Sequence, residues 1–460
     1  MCGGVDTYYF LGIGGIGMSA LARYFASLGC RVLGYDRVRS SLTQALENEG
    51  IVVQDDESLD AVRELDVERS IVVRTPAVPE DMAVCAWLRK QGFRMMKRAE
   101  LLGEVTRRKR ALCVAGTHGK TTTSTMLAHI LHGSHVGANA FLGGIANNYG
   151  TNLLLDDSEN VVVEADEYDR SFHQLNPYIS VITSMDPDHL DIYGTAEAYY
   201  DSFAKYAKLA AEALVVKSGL QLKVDDLQAK VYTYAVNEEA DFFADNVRVE
   251  NGEMYFDFHA PQTLIEHVRL GVPVWVNVEN GVAAMAVAWL MGATTDELRD
   301  GMSSFSGVYR RFNIHINTHS VAYVDDYAHH PMELKATIES VRHLYPGRYV
   351  IGVFQPHLYS RTRDFVDLFA EVLSRLDEVA LLPIYPAREE AIAGVNSEWL
   401  MGKIQTKRAL LSPAILPKYL RERVKSCVSQ GKDCVVITLG AGDIDKQVED
   451  ITNKLKYKIL

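Results

Sequence analysis

A chain of 460 residues is too long for one ordinary hydrophobic core, and at roughly 150 residues per domain it predicts about three domains. Hydrophobic residues make up 48% and charged residues 23%, ordinary globular proportions that exclude a fibrous or disordered chain. With 47 Lys and Arg against 60 Asp and Glu, the net charge of -13 argues against a nucleic acid partner, because such a balance repels a phosphate backbone.

Apolar strand-like runs alternate with helical patterns, which predicts α/β domains with mainly parallel sheets, and the pattern starts three times. The first start, 8–17 (YYFLGIGGIG), is a strand that breaks into a glycine turn and a helix through Leu28. Strands follow at 31–35, just before Asp36, and at 71–75. The basic run Arg107-Arg108-Lys109-Arg110 reads as a solvated boundary. The second start, 111–116 (ALCVAG), feeds THGKTTTSTMLAHIL, and its neighbours VVVEAD (161–166) and YISVITSMD (178–186) are short apolar runs that end in acids. Alternating residues between Asp241 and His259 around Asn251-Gly252 predict an antiparallel edge hairpin, and a helix at 281–291 closes the domain. The third start, 320–331 (SVAYVDDYAHHP), continues through YVIGVFQPH (349–357), VALLPIYP (379–386) and CVVITLGAG (434–442). The predicted domains are therefore 1–106, 107–312 and 313–460.

Six cysteines without a C-x-x-C pair suit a reducing compartment and exclude a thiolate zinc site; they read as small buried hydrophobes. No export-signal pattern and no run of 18 apolar residues is present, so a cytoplasmic protein without membrane insertion is expected.

The most informative segment is Gly116-Thr117-His118-Gly119-Lys120-Thr121-Thr122-Thr123, placed between a strand and a helix. A phosphate cradle belongs there, because successive N–H groups and the positive helix end surround the anion. Lys120 would reach the terminal phosphates and the Thr121 hydroxyl would ligate Mg²⁺, although Val114 stands where the usual loop has its first glycine. Four acids in EADEYDRSF (164–172) follow a strand, and Glu164 is the expected metal ligand among them; a solvated loop is the alternative. In DPDHLD (186–191), His189 lies among carboxylates and is either the ligand of a second Mg²⁺ or a structural hydrogen-bonder. Gly12-x-Gly14-x-x-Gly17 with Asp36 matches the dinucleotide fingerprint, and its turn would accept a UDP pyrophosphate as readily as NAD. Arg361 and Arg363, just after a strand of the third unit, could hold a substrate carboxylate by paired hydrogen bonds.

Together these motifs resemble the Mur ligase family over the whole chain: GIGGIGMSALA (12–22), GTHGKTTT, EADEYDRSF, DHLDIY (188–193), GVYRRF (307–312), DDYAHHP and QPHLYSRTR. The resemblance implies a Rossmann-like UDP-binding domain, a central P-loop ATPase-type domain and a C-terminal Rossmann-like domain. It implies ATP and Mg²⁺ as cofactors, held by Gly116, Thr117, His118, Gly119, Lys120, Thr121 and Thr122, with Glu164 and His189 as further metal ligands. Asn280 would contact adenine, and Arg311 and Asp326 would serve the nucleotide phosphates. Gly14, Gly15, Gly17 and Asp36 would line the UDP site, while Tyr327, His329, His357 and Arg361 would hold the amino acid or acyl group. The pattern is broken at Val276, at Leu358 and in Arg74-Thr75-Pro76-Ala77, and Lys205 and Lys208 follow His189 where some members carry a modified lysine.

The implied reaction joins L-alanine to the lactyl carboxylate of UDP-N-acetylmuramate through an acyl phosphate. Closure of the third domain about 310–313 is expected to accompany it. Three alternatives stand beside this reading: a recycling ligase that adds a tripeptide, an NAD-dependent oxidoreductase, and a nucleotide-sensing regulator.

Overall fold

The computed structural model describes residues 4–75, 78–223, 225–250, 253–387 and 389–456, with Leu190 and Asp191 by backbone only. Cys2, the Pro76-Ala77 pair and the Asn251-Gly252 turn lie outside the described residues.

Each strand-then-glycine start in the sequence opens its own sheet. The first sheet consists of β1 (Thr7–Leu11), β2 (Arg31–Tyr35), β3 (Val52–Gln54), β4 (Ser70–Arg74) and β5 (Arg94–Lys97), all parallel in the order β3-β2-β1-β4-β5. Strand alternation divides its side chains: Tyr8 and Phe10 enter one core, Tyr9 and Leu11 the other. Burial of each such side chain contributes about 1.5–3 kcal/mol.

The second sheet contains β6 (Arg110–Ala115), β7 (Asn139–Ala146), β8 (Thr151–Leu154), β9 (Asn160–Ala165), β10 (Pro177–Ile182), β11 (Ala213–Lys217), β12 (Lys230–Val236), β13 (Phe242–Glu250), β14 (Glu253–Ala260) and β15 (Thr263–Leu270). Their order is β15-β14-β13-β12-β11-β10-β6-β9-β7-β8. The central strands are parallel, so β6, β9 and β10 all deliver their C-terminal ends to one edge, where ligands bind in open α/β sheets. Ala111, Cys113 and Val163 share the core that holds Tyr8 and Phe10, so the first two sheets form one packed body.

The third sheet, β16 (Asn313–Asn317), β17 (Val321–Asp326), β18 (Tyr349–Phe354), β19 (Glu378–Leu381), β20 (Lys407–Leu410) and β21 (Cys434–Leu439), has the order β16-β17-β21-β18-β19-β20 and its own core around Tyr323, Ile351 and Val436. The chain divides into two compact units, Met1–Arg248 with Tyr255–Gly271 and Val278–Ser306, and Gly307–Leu460 with Val249–Met254 and Val272–Asn277.

Two expectations change. The closing helix is Trp275–Leu290, beginning six residues before the predicted start, because Val276 and Asn277 continue its pattern as far as Trp275. The pair β7–β8, antiparallel and edge-forming, was not expected, since the glycines of NAFLGGIA hide the strand. Cys85, Cys113, Cys427 and Cys434 are buried and Cys30 is half-buried, all as free thiols. Among the described residues, no helix is long and apolar enough to cross a membrane.

Candidate active site

In the first unit, the loop after β6 turns at Gly116 and Gly119, both with positive φ (+138° and +81°), and delivers Lys120 to the start of the helix Lys120–His132. A side chain at Gly116 would strike Thr183, and one at Gly119 would lie 2.7 Å from Asn280 Oδ1. The loop is fixed from β10: His118 N donates to Ser184 Oγ (2.8 Å), Thr183 Oγ1 donates to His118 O (2.5 Å), and Thr117 Oγ1 donates to Asp186 O (2.7 Å). Val114 is fully buried in β6, so the cradle here consists of the shorter turn 116–119. Thr121 and Thr122 occupy the first helical turn, and Asn280 accepts from Thr123 Oγ1 (3.2 Å) behind them.

Lys120 Nζ donates to Gly116 O (2.6 Å) and Thr117 O (3.2 Å) and pairs with Glu167 (2.8 Å to Oε2). Burial alone would pull the Lys120 ammonium down, but Glu167, Glu164 and Asp166 together raise it above the ordinary lysine value. Glu167 is thus the direct partner of Lys120. Sequence reasoning did not single it out, because nothing in a run of four acids ranks them. Tyr193 OH donates to Glu167 O (2.5 Å), which fastens the segment from the far side.

Glu164, the next-to-last residue of β9, has its Oε2 buried and without a hydrogen-bond partner. It lines a cavity of about 110 Å³ together with Gly17, Arg98, Gly143 and Asp166. His189 sits on a left-handed turn (φ +53°), with its ring edge-on to Tyr168 and 3.8 Å from an Asp188 oxygen. Asp169 and Arg170 share that backbone region (φ +51° and +54°), a concentration of strain typical of functional segments.

At the end of β1, Gly12 turns with φ +87° and Gly15 caps the helix Ile16–Ser27. Asp36 Oδ2 accepts from Gly14 N (2.8 Å) and Oδ1 from Val38 N (3.0 Å), so this carboxylate braces the glycine turn. Gly17 lies beneath Arg98, whose Nη1 would be 2.5 Å from a Cβ there.

The second unit gathers the remaining expected residues. Arg310 is consumed structurally: its guanidinium donates to Asp325 Oδ2 (3.2 Å) and Gly440 O (2.6 Å). Arg311 lies over the Tyr327 ring at 5.1 Å and acts electrostatically on Asp326. Burial pushes the Asp326 carboxyl up to about 6, against the pull of Arg311 and of hydrogen bonds from Ala328 N and Thr337 Oγ1. His329 faces His357 with ring centroids 5.8 Å apart. Burial, then His329 and Arg361, lower the His357 imidazole to about 4, and burial also lowers His329. His357 Nδ1 and Arg361 Nη1 are both buried without partners. Arg363 instead pairs with its neighbour Asp364 (2.7 Å) at the surface. Glu389, absent from the sequence-based set, accepts from Ser360 N (2.9 Å) and from the Ser360 hydroxyl at the start of the helix that carries Arg361.

The first unit thus brings a lysine on a glycine-bounded strand-to-helix turn together with the carboxylates of 164–167, and the second, taken by itself, sets His357 near Arg361, each with one buried nitrogen that has no partner. Sequence models of three protein domains match the chain: "Mur ligase family, catalytic domain" over residues 7–110, "Mur ligase middle domain" over 114–288 and "Mur ligase, glutamate ligase domain" over 310–442. A UDP-N-acetylmuramate–L-alanine ligase of Parabacteroides distasonis is 52% identical, covering 99% of this chain and 98% of the relative. One from Flavobacterium johnsoniae is 42% identical over 99% of each. The crystal structure of UDP-N-acetylmuramate-alanine ligase MurC from Thermotoga maritima superposes with a TM-score of 0.81 at 25% identity, covering 97% of this chain and 98% of that one. A murein peptide ligase from Psychrobacter arcticus shares the fold, with a TM-score of 0.71 at 20% identity, covering 99% of this chain and 100% of that one.

Proposed function

The chain belongs to the Mur ligase family, and from that premise we propose that it joins L-alanine to UDP-N-acetylmuramate with ATP, in the manner of the UDP-N-acetylmuramate–L-alanine ligases it resembles at up to 52% identity. The reaction is an ATP-dependent amide-bond-forming ligation in peptidoglycan precursor synthesis. Its substrates are small and water-soluble, which fits a cytoplasmic enzyme without membrane insertion.

A carboxylate does not acylate an amine unless it gains a leaving group. The lactyl carboxylate oxygen attacks the γ-phosphorus of ATP, the bond to the bridging oxygen breaks, and ADP leaves. Lys120 bears on this step: its ammonium is held charged by carboxylates and stands at the helix start where phosphate oxygens would lie. The alanine amine then attacks the acyl carbon, the C–O bond to phosphate breaks, and inorganic phosphate departs while the nitrogen gives up a proton to water, leaving the amide.

Mg²⁺ fits the first unit, since Glu164 Oε2 is a buried carboxylate oxygen with no partner. Thr121 and His189 are its proposed companions. No group of three His, Cys, Asp or Glu side chains able to cage a metal occurs among the described residues, but Mg²⁺ takes only one or two carboxylates and completes its shell with phosphate and water. When bound, it would neutralise charge developing on the phosphate oxygens.

In the second unit we assign Arg361 to the alanine carboxylate, through the donor that has no protein acceptor. His357, pulled down to about 4, is neutral at physiological pH and would accept a hydrogen bond from the amine, orienting it. Gly14, Gly15 and Gly17 are assigned to the pyrophosphate at the helix start, Asn280 to adenine, Arg311 and Asp326 to ATP, and Tyr327 and His329 to the acyl or amino-acid end. The dehydrogenase alternative leaves Lys120 and the acids around it without a role.

The observation that carries this reading is Lys120, held charged among Glu164, Asp166 and Glu167. Carboxylate-labelled ¹⁸O UDP-N-acetylmuramate tests it. One label should appear in each phosphate released, and unlabelled phosphate would exclude the acyl phosphate.

A further inference from the structure

Resting on the proposed reaction, we infer that Arg98 is a substrate-binding residue: its guanidinium receives the lactyl carboxylate of the sugar nucleotide, and Asp166 holds it in the meantime. Arg98 opens the helix Arg98–Arg107, which leaves the first sheet, and reaches across to the second. There its Nη2 donates to Asp166 Oδ2 at 3.0 Å. The same guanidinium covers Gly17 so closely that a Cβ would lie 2.5 Å from Nη1. Arg98 therefore touches both the glycine turn and the acidic segment beside Lys120.

Charge decides what this contact is for. The cavity between the turn and β9 is lined by Glu164 and Asp166, and a carboxylate ligand entering it would meet two like charges. Arg98 is the cation among the lining residues. A guanidinium carries five N–H donors in a fork that matches a carboxylate, and one of them has a protein acceptor here. The pair with Asp166 is part-exposed, with side-chain exposures of 26% and 36%, so exchanging one carboxylate partner for another costs little desolvation.

The surroundings are rigid enough to make that exchange specific. Asn152, at β8, donates to Ile16 O (2.5 Å) and to Ser19 Oγ (3.0 Å) and accepts from Arg23 Nη1 (2.5 Å), which ties the glycine-turn helix to the second sheet. Lys97 pairs with Asp169 at 3.0 Å and anchors the residue before Arg98 to the acidic segment. The helix that carries Arg98 is also tied at its far end, where Thr106 Oγ1 accepts from Asn176 N (3.1 Å), so with Lys97 it is held at two other points and does not depend on Arg98 as a strut.

Calorimetric titration of the full chain with UDP-N-acetylmuramate and with UDP-N-acetylglucosamine, which lacks the lactyl carboxylate, tests the assignment. Arg98→Ala should weaken UDP-N-acetylmuramate roughly 10- to 100-fold, the loss expected for a charge-assisted hydrogen-bonded pair, and leave UDP-N-acetylglucosamine within about twofold. Arg98→Lys, which keeps the charge but loses the fork, should show the same ligand-dependent difference at smaller size, and serves if the alanine variant fails to fold. Equal losses for both ligands would make Arg98 a strut and overturn the assignment, as would no change in either. If the unaltered protein releases no alanine-dependent phosphate and binds UDP-N-acetylmuramate no better than UDP-N-acetylglucosamine, the proposed reaction itself falls, and the assignment with it.

Discussion

Gly143→Ala isolates Glu164 without touching it. A Cβ at Gly143 would lie 2.7 Å from Glu164 Oε1 and closer still to Oε2, where ordinary contact begins at about 3.4 Å, so the carboxylate must retreat by roughly 1 Å. Because the obstructed atoms are the far end of a flexible side chain, the retreat is cheap, and the expected stability change is under about 1 kcal/mol, or no more than a few degrees in Tm. Catalysis is less tolerant: a misplacement of about 1 Å costs on the order of 100-fold in kcat. If Glu164 holds Mg²⁺, the concentration of Mg²⁺ for half-maximal rate should also rise. The assay is ATP-dependent phosphate release across a Mg²⁺ series, with thermal unfolding measured in parallel. A variant active within threefold at unchanged Mg²⁺ dependence would refute the metal-ligand role of Glu164, and a collapse of Tm would relocate the effect to packing.

Lys120→Ala should lower kcat for phosphate release by about 1000-fold or more while circular dichroism stays unchanged, because the charge facing the phosphates is lost. Glu389→Ala should raise KM for alanine about tenfold and leave KM for ATP unaltered, since Glu389 holds the start of the helix that carries Arg361. The stability of the second unit should show two opposing pH dependences. His357, lowered from 6.5 to about 4, contributes stability that is complete above pH 6.5 and lost as pH falls toward 4, because the unfolded chain binds the proton first. Asp326, raised from 3.8 to about 6, does the reverse: the folded chain binds the proton first, so stability is lost as pH rises from 3.8 through 6. Thermal unfolding between pH 4 and 6 should therefore become steeper for Asp326→Asn, with more loss in acid, and His357→Gln should gain stability in acid; parallel curves for both variants and the parent would contradict these assignments.

The parts of the site that were legible in the sequence are those set by local geometry. Gly116, Gly119 and Lys120 occupy a strand-to-helix turn whose spacing leaves little choice of conformation, and Gly12 to Gly17 are confined in the same way. The parts that were not legible depend on contacts between distant segments. Arg98 meets Asp166 from 68 positions away, and nothing around it in the sequence marks it out from other surface arginines. Glu167, and not a neighbouring acid, reaches Lys120, and the left-handed residues at 169 and 170 that follow it have no signature in the sequence. Arg310 and Arg311 are adjacent and chemically identical and both lie over the Tyr327 ring, yet only the first is engaged by hydrogen bonds to Asp325 of β17 and to Gly440. The β7–β8 pair was hidden for a related reason: Gly143 and Gly144 weaken the strand signal, while Gly143 makes room for Glu164.

The central claim is tested most directly by phosphate release from ATP and Mg²⁺ in the presence of UDP-N-acetylmuramate, comparing L-alanine, the L-Ala-D-Glu-diaminopimelate tripeptide and no amino component. Release that depends on L-alanine and is not supported by the tripeptide is the predicted result. Release that depends on the tripeptide, or none with either, would contradict it.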